Sequence, residues 1–194
     1  IFIPPGNLFA INCTMSLEGE MDSYKIKQCI HNDRVAQKEL YDLYKTNMFV
    51  LCMRYFSEQE EAKDALQDGF IKVFRDLYQY DSSKGALGSW IRRVMVNTCL
   101  EKLRKNKVNF QSIDDIKNMV GYESNILSDL MIKDLTKLIQ LLPIGYRTVF
   151  NLYVVEGYTH NEISEQLKIS ENTSKTQLMK AKNMLRNKIE AAFK

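Results

Sequence analysis

Apolar residues recur along the first half of the chain at helical spacing. From Leu40, the positions Leu40, Tyr44, Met48, Leu51 and Tyr55 are separated by four, four, three and four residues, the stripe of an amphipathic helix. Ala62, Leu66, Phe70, Val73 and Leu77 repeat those intervals, so two helices can pack stripe to stripe. The stretch YDSSKGALGS, Tyr80 to Ser89, is rich in small and turn-forming residues and predicts an exposed loop. Ser89 is a suitable N-cap for a third helix from Trp90 to Lys105, with Ile91, Val94, Met95, Thr98 and Leu103 inward.

Residues 107–127 show no sustained period and contain polar clusters, as expected of a flexible linker. A second helical unit is expected over 128–194. Ser128 can cap a helix carrying Met131, Leu135, Leu138 and Leu142, which Pro143 ends or kinks. The next segment, Tyr146 to Val155, is closed by Gly157, and its TVFNLYVV is equally good strand material, so periodicity leaves helix and strand open. Thr159 followed by Glu162 forms a capping box, opening a short helix with Ile163 and Leu167 inward. After Lys168 and Ile169, Ser170 caps a long helix with Leu178, Ala181, Leu185 and Ile189 on one face. The pattern predicts an all-α protein of two small helical domains, 21–106 and 128–194. Residues 1–20 are expected to be disordered or a non-native leader, with translation starting at Met15 or Met21.

Overall charge adds little, since 27 Lys and Arg face 24 Asp and Glu for a net +3. Its distribution says more. Trp90 to Lys107 holds six bases and one acid, and Lys168 to Lys188 repeats that imbalance, while Asp114 to Asp134 between them leans acidic. Either patch alone fits a solvated helix face; two of them argue for phosphate. Cys13, Cys29, Cys52 and Cys99 are scattered with no Cys-x-x-Cys, and only His31 and His160 could join them on a metal, so they read as reduced cytosolic thiols. No metal or cofactor is expected. No stretch approaches the roughly 18 uninterrupted apolar residues of a membrane span.

The helix from Thr159, the brief turn at Lys168 to Ser170 and the basic helix from Glu171 outline a helix-turn-helix. The major groove admits one such helix, whose first turns meet base edges while flanking cations hold phosphates. Asn172, Thr173, Lys175, Thr176 and Gln177 suit base edges or nearby phosphates; Lys180, Lys182 and Arg186 would ride the backbone. A plain helical hairpin with a basic outer face has the same spacing.

Beyond spacing, Leu142 to Arg186 resembles region four of sigma-70-type factors, through Leu142-Pro143, Arg147-Thr148-Val149-Phe150, Glu156-Gly157 and Glu162-Ile163. EAKDALQDGFIKVF, Glu61 to Phe74, resembles region two, with which these factors grip the polymerase clamp, and WIRRVMVNTCLEKLR, Trp90 to Arg104, resembles the segment that opens the upstream promoter element near the start site. The order, with no third globular region between, matches the compact extracytoplasmic-function (ECF) class.

That resemblance implies an RNA polymerase sigma factor, not an enzyme but a specificity subunit without a catalytic site or small-molecule substrate. Its implied partners are core RNA polymerase (clamp and flap), promoter DNA and an anti-sigma protein. The implied location is the cytoplasm: on the nucleoid when active, or held at the membrane by the anti-sigma. Core polymerase would be met by Asp64, Gln67, Asp68, Ile71 and Lys72. The −10 region would be met by Arg93, Asn97, Glu101 and Arg104, spaced four, four and three along one stripe, beside a pocket formed by the loop Asp81 to Ser89. The −35 region would be met by Asn172, Thr173, Lys175, Thr176, Met179 and Lys180.

Trp90 could stack on a base, but a lone Trp at a helix start more often anchors a core, which is the expectation here. Departures from the family pattern are Leu87 for Phe, Glu101 for Asp, Ser174 for Val and Lys180-Ala181-Lys182 for Arg-Ala-Arg. Lys cannot reproduce the bidentate fork of Arg on guanine, so phosphate binding transfers better than base specificity. The rival reading is a stand-alone helix-turn-helix regulator, which would not need the Glu61 to Phe74 helix. An enzyme has little support, with no phosphate loop, metal-ligand cluster or nucleophile beside a base.

Overall fold

The computed structural model describes residues 21–106, 108, 110 and 132–192. The expected leader, most of the linker, the Ser128 cap, Met131 and the side chain of Leu135 lie outside the described residues. Eight α-helices and no strand occur among those described. The chain divides into two compact units, with the boundary between Leu103 and Arg104.

The first unit is built from α1 (Ser23–Ile30), α2 (Arg34–Tyr55), α3 (Gln59–Asp76) and α4 (Leu87–Lys105), whose last two residues lie past the boundary. The α1 helix went unnoticed in the sequence because it is short and buries only Cys29. Caps define its limits: the Asp22 carboxylate accepts from the Lys25 backbone N–H at 2.7 Å, and Asp33 accepts from Val35 and Ala36 to start α2. Every residue of the two expected stripes is buried, from Leu40 to Tyr55 on α2 and from Ala62 on α3 to Leu77 in the 3-10 turn that follows it. Apolar burial along both stripes therefore holds this pair together.

The α4 helix packs between its neighbours more deeply than a single stripe would require. Ile91, Met95, Thr98 and Leu103 are inside as expected, and Val96, Cys99 and Leu100 are buried with them, while Val94 is half-buried. Buried Gly69 of α3 faces this helix, and a Cβ there would overlap the Met95 thioether, so the glycine permits close approach. The helix begins three residues earlier than predicted, at Leu87. Ser89 is therefore not the cap: its N–H and that of Trp90 both donate to the Ala86 carbonyl. Burial of Leu87 explains the earlier start, because the first turn gains an apolar anchor that Ser89 lacks.

The second unit contains α5 (Ile132–Gln140), α6 (Ile144–Phe150), a single π-turn (Asn151–Val155), α7 (His160–Leu167) and α8 (Glu171–Ala192). Pro143 stands at the N-cap of α6. The ambiguous TVFNLYVV is helical, and α6 packs mainly on α8 through buried Tyr146, Val149 and Phe150. Tertiary burial thus overrides a β-prone composition. Gly157, at φ 78°, turns the chain out of the π-turn. On α8, Leu178, Ala181 and Leu185 are buried, but Ile189 is 39% exposed, so the inward stripe stops one turn earlier than predicted.

Candidate polymerase- and DNA-binding faces

Sequence spacing places the five residues expected to meet polymerase on the outer side of α3. Asp64, Gln67 and Asp68 are exposed, Ile71 is 58% exposed, and Lys72 is half-buried. They are not isolated from the stripe on α4. The Lys72 ammonium lies 2.6 Å from the Glu101 carboxylate, and Lys102 reaches Asp68 at 3.5 Å and Asp64 at 3.7 Å. These pairs are partly solvated and worth about 0–1 kcal/mol each. Their larger consequence is electrostatic. An unpaired Glu101 in a stripe with Arg93, Asn97 and Arg104 would repel phosphate; Lys72 neutralises it. Arg93 and Arg104 are exposed and Asn97 is half-buried.

The loop before α4 is held by its own polar groups. Asp81 accepts from the Ser83 N–H at 3.0 Å and from the Ser83 hydroxyl at 2.7 Å, which keeps its carboxyl below the usual range. The Tyr80 hydroxyl donates to the Gly85 carbonyl at 3.1 Å, and its ring lies 6.1 Å from that of Trp90. Trp90 is half-buried beside that tyrosine, less fully enclosed than the core position expected. Its position at the first turn of α4 leaves part of the indole at the surface.

In the second unit both caps of the helix-turn-helix form as the sequence indicated. The Thr159 N–H donates to the Glu162 carboxylate at 2.8 Å, and the Glu162 N–H donates to the Thr159 hydroxyl at 3.3 Å. The Ser170 hydroxyl accepts from the Thr173 N–H at 3.0 Å at the start of α8. Between the helices Lys168 takes the left-handed conformation at φ 54°. The turn is therefore tight, and the exposed side of α8 starts at its first residue.

Along α8, Asn172 is exposed, Thr173 and Thr176 are half-buried, and Lys175 is exposed with its ammonium 3.1 Å from Glu171. Met179 is 55% exposed, and the Lys180 ammonium lies 5.9 Å from the centre of the Tyr146 ring. Lys175, Met179, Lys182 and Arg186 line one shallow groove of about 300 Å³. Three cations and one thioether on a single face suit a phosphate track with an apolar contact. Gln177 is a correction. It is 0% exposed, and its Nε2 donates to the Phe110 carbonyl at 2.6 Å, so it faces the core of the unit and not a groove. One helical turn separates it from Ser174, which is also 0% exposed, so both fall on the inner side of α8.

Two family models match the chain, Sigma-70 region 2 over residues 40–108 and Sigma-70 region 4 over residues 132–185. The chain belongs to the sigma-70 family, in its ECF class. It is an RNA polymerase sigma factor, the kind of subunit that binds core polymerase and directs promoter-specific initiation. Its relatives include the ECF RNA polymerase sigma factor SigW of Bacillus subtilis (strain 168), 25% identical over 178 residues, covering 85% of this chain and 95% of SigW. SigM of the same organism is 26% identical over 152 residues, covering 76% of this chain and 91% of SigM. Among solved structures, the sigma factor RpoE in complex with the anti-sigma factor NepR from Bartonella quintana aligns at 17% identity and TM-score 0.49. That alignment covers 79% of this chain and 96% of RpoE.

Sequence reasoning about this sigma factor missed two things that matter at its faces. The ion pairs from α3 to α4 join residues far apart in sequence, 29 positions for Lys72 and Glu101 and 34 for Asp68 and Lys102, and no local pattern announces them. In the sequence His160 offers only a poor metal ligand, yet its Nδ1 lies 2.9 Å from the Ser174 hydroxyl and its ring stacks on Tyr153 at 4.4 Å. The one available signal was a polar Ser174 where the family usually carries an apolar residue.

Proposed function

We propose that the first unit docks on the polymerase clamp through Asp64, Gln67, Asp68 and Ile71 of α3, with Lys72 bracing the Glu101 carboxylate. The α4 helix opens the −10 region with Arg93, Asn97 and Arg104, together with the loop Asp81 to Ser89. The second unit reads the −35 region as duplex through Asn172, Thr173, Lys175, Thr176, Met179 and Lys180. The domain limits follow the same reading: a first domain to 106, a linker to 127 and a second domain from 128. The observation that carries it is the pair of family matches, which between them span every residue named here.

On this reading the chain supplies no catalytic site and no covalent chemistry, and it works in the cytoplasm. Among the described residues, no helix is long and apolar enough to cross a membrane. Regulation by an anti-sigma protein is part of the proposal and rests on family membership.

Gel filtration of residues 21 to 194 with bacterial core RNA polymerase tests the first step, with stoichiometric co-elution as the expected result. Failure of the folded protein to associate would favour a stand-alone helix-turn-helix regulator instead. Asn97→Ala separates the two DNA roles: duplex binding should persist while permanganate footprinting shows impaired opening. Equal loss of both would remove Asn97 from the melting step.

A further inference from the structure

A serine inside the recognition-helix unit is the starting point. Ser174 sits one turn into α8 with 0% exposure, on the helix that also buries Leu178 and Ala181. A buried hydroxyl needs a partner, because an unsatisfied one forfeits its hydration. Its partner lies on the other helix of the motif: His160, the first residue of α7, with Nδ1 2.9 Å from the Ser174 Oγ. The imidazole does not stand alone. It stacks on Tyr153 with centroids 4.4 Å apart and planes 24° from parallel, and Tyr153 belongs to the π-turn. The Lys182 ammonium, back on α8, is 6.0 Å from the centre of the Tyr153 ring.

This group therefore touches α8 twice, at residues eight positions apart, or about 12 Å along the helix axis. Two contacts on one side at that separation resist both rotation and tilt, adding a polar restraint to the apolar packing of α6 and α7 on α8. The cations placed by this restraint are Lys175, adjacent to Ser174, and Lys182 itself. Burial pushes the imidazole toward its neutral form, and Lys175 and Lys182 act in the same direction against Glu171. A neutral ring retains one acceptor nitrogen and can accept a hydrogen bond from the Ser174 hydroxyl.

We propose that His160 is a positioning residue for promoter recognition: its bond to Ser174 and its stack on Tyr153 set the rotation of α8 at which Lys175 and its neighbours meet DNA. The proposal rests on the reading of α8 as the −35 helix. His160 itself need not touch a base. His160→Phe keeps a ring against Tyr153 but strands the Ser174 hydroxyl. Ser174→Val in that background replaces the polar pair with an apolar one and removes the stranded group.

The test uses holoenzyme assembled from the full chain and core polymerase. A randomised double-stranded DNA library is enriched with the parent holoenzyme, and affinity for the enriched duplex is compared with affinity for the starting pool. All measurements are made where circular dichroism shows every variant folded. His160→Phe should reduce that discrimination about tenfold. The double variant should recover it to within about threefold, with Ser174→Val alone falling between them. A purely structural pair would lower melting temperature and leave the discrimination ratio unchanged, which overturns the proposal. So would a double variant whose loss is the product of the two single losses. A parent holoenzyme that enriches no sequence would instead overturn the DNA reading of α8, and the positioning role with it.

Discussion

Ile71→Ala isolates the apolar part of the proposed polymerase face. Fully burying an isoleucine side chain is worth about 1.5–3 kcal/mol. Since 58% of Ile71 is open to a partner, docking can recover only that fraction, about 0.9–1.7 kcal/mol. Alanine retains part of the contact, so the expected loss is about 1 kcal/mol, roughly a fivefold rise in Kd for core polymerase. Folding stability should hardly move, because exposed substitutions usually stay within about 0.5 kcal/mol and alanine favours helix. Competition of labelled parent protein against each variant for core polymerase measures the first quantity, and thermal unfolding measures the second. Lys72→Ala is the informative contrast. It frees Glu101 from its 2.6 Å partner, so it should disturb the nucleic-acid stripe as well as the polymerase face. An Ile71→Ala protein with parental melting and a Kd within about twofold of the parent would remove Ile71 from the contact. The exposed side of α3 would then need another explanation.

Three further outcomes follow from the second unit. Lys175→Ala and Lys180→Ala should each weaken promoter binding and flatten the dependence of log affinity on log salt by up to about one unit, as expected for one lost phosphate contact; unchanged slopes in both would remove this groove face. Lys168→Gly should raise the stability of this unit by about 0.5–1 kcal/mol, since φ 54° strains a side chain and glycine adopts it freely, with the added unfolded-state entropy offsetting part of the gain; a lower melting temperature would refute it. For pH, burial lowers the pKa of His160 in the folded protein below the ordinary value near 6.5, so the unfolded chain binds the proton first. Stability should therefore decline as pH falls through and below that value. His160→Phe should flatten this part of a urea-unfolding profile, and an unaltered acid slope would contradict the assignment.

Much of this sigma factor was legible in one dimension. The stripes of α2 and α3 came directly from spacing, because a helix that buries one face must repeat its apolar residues every three to four positions. The Thr159 and Glu162 capping box and the Ser170 cap were equally readable, since both ends of each contact lie within three residues. The exposed residues of α8 followed from the same local geometry, apart from Gln177. Whether Gln177 faces a groove or the core depends on what packs behind α8, and the Phe110 carbonyl that receives it is 67 positions away.

Other features were decided only by tertiary structure. TVFNLYVV carries no preference strong enough to choose helix over strand, and packing of α6 on α8 makes the choice. The start of α4 at Leu87 depends on a buried pocket for that side chain, which a capping rule at Ser89 does not register. Lys72 and Glu101 are unremarkable charges in sequence, and only the packing of α3 beside α4 brings them to 2.6 Å. His160 and Ser174 show the same limit: sequence reveals a polar residue at an apolar position, and the crossing of two helices supplies its partner. Local periodicity and capping determine which segments are helices and which faces they bury, because those energies arise within a few residues. The relations between polar groups on different helices depend on distances that exist only once the chain has folded.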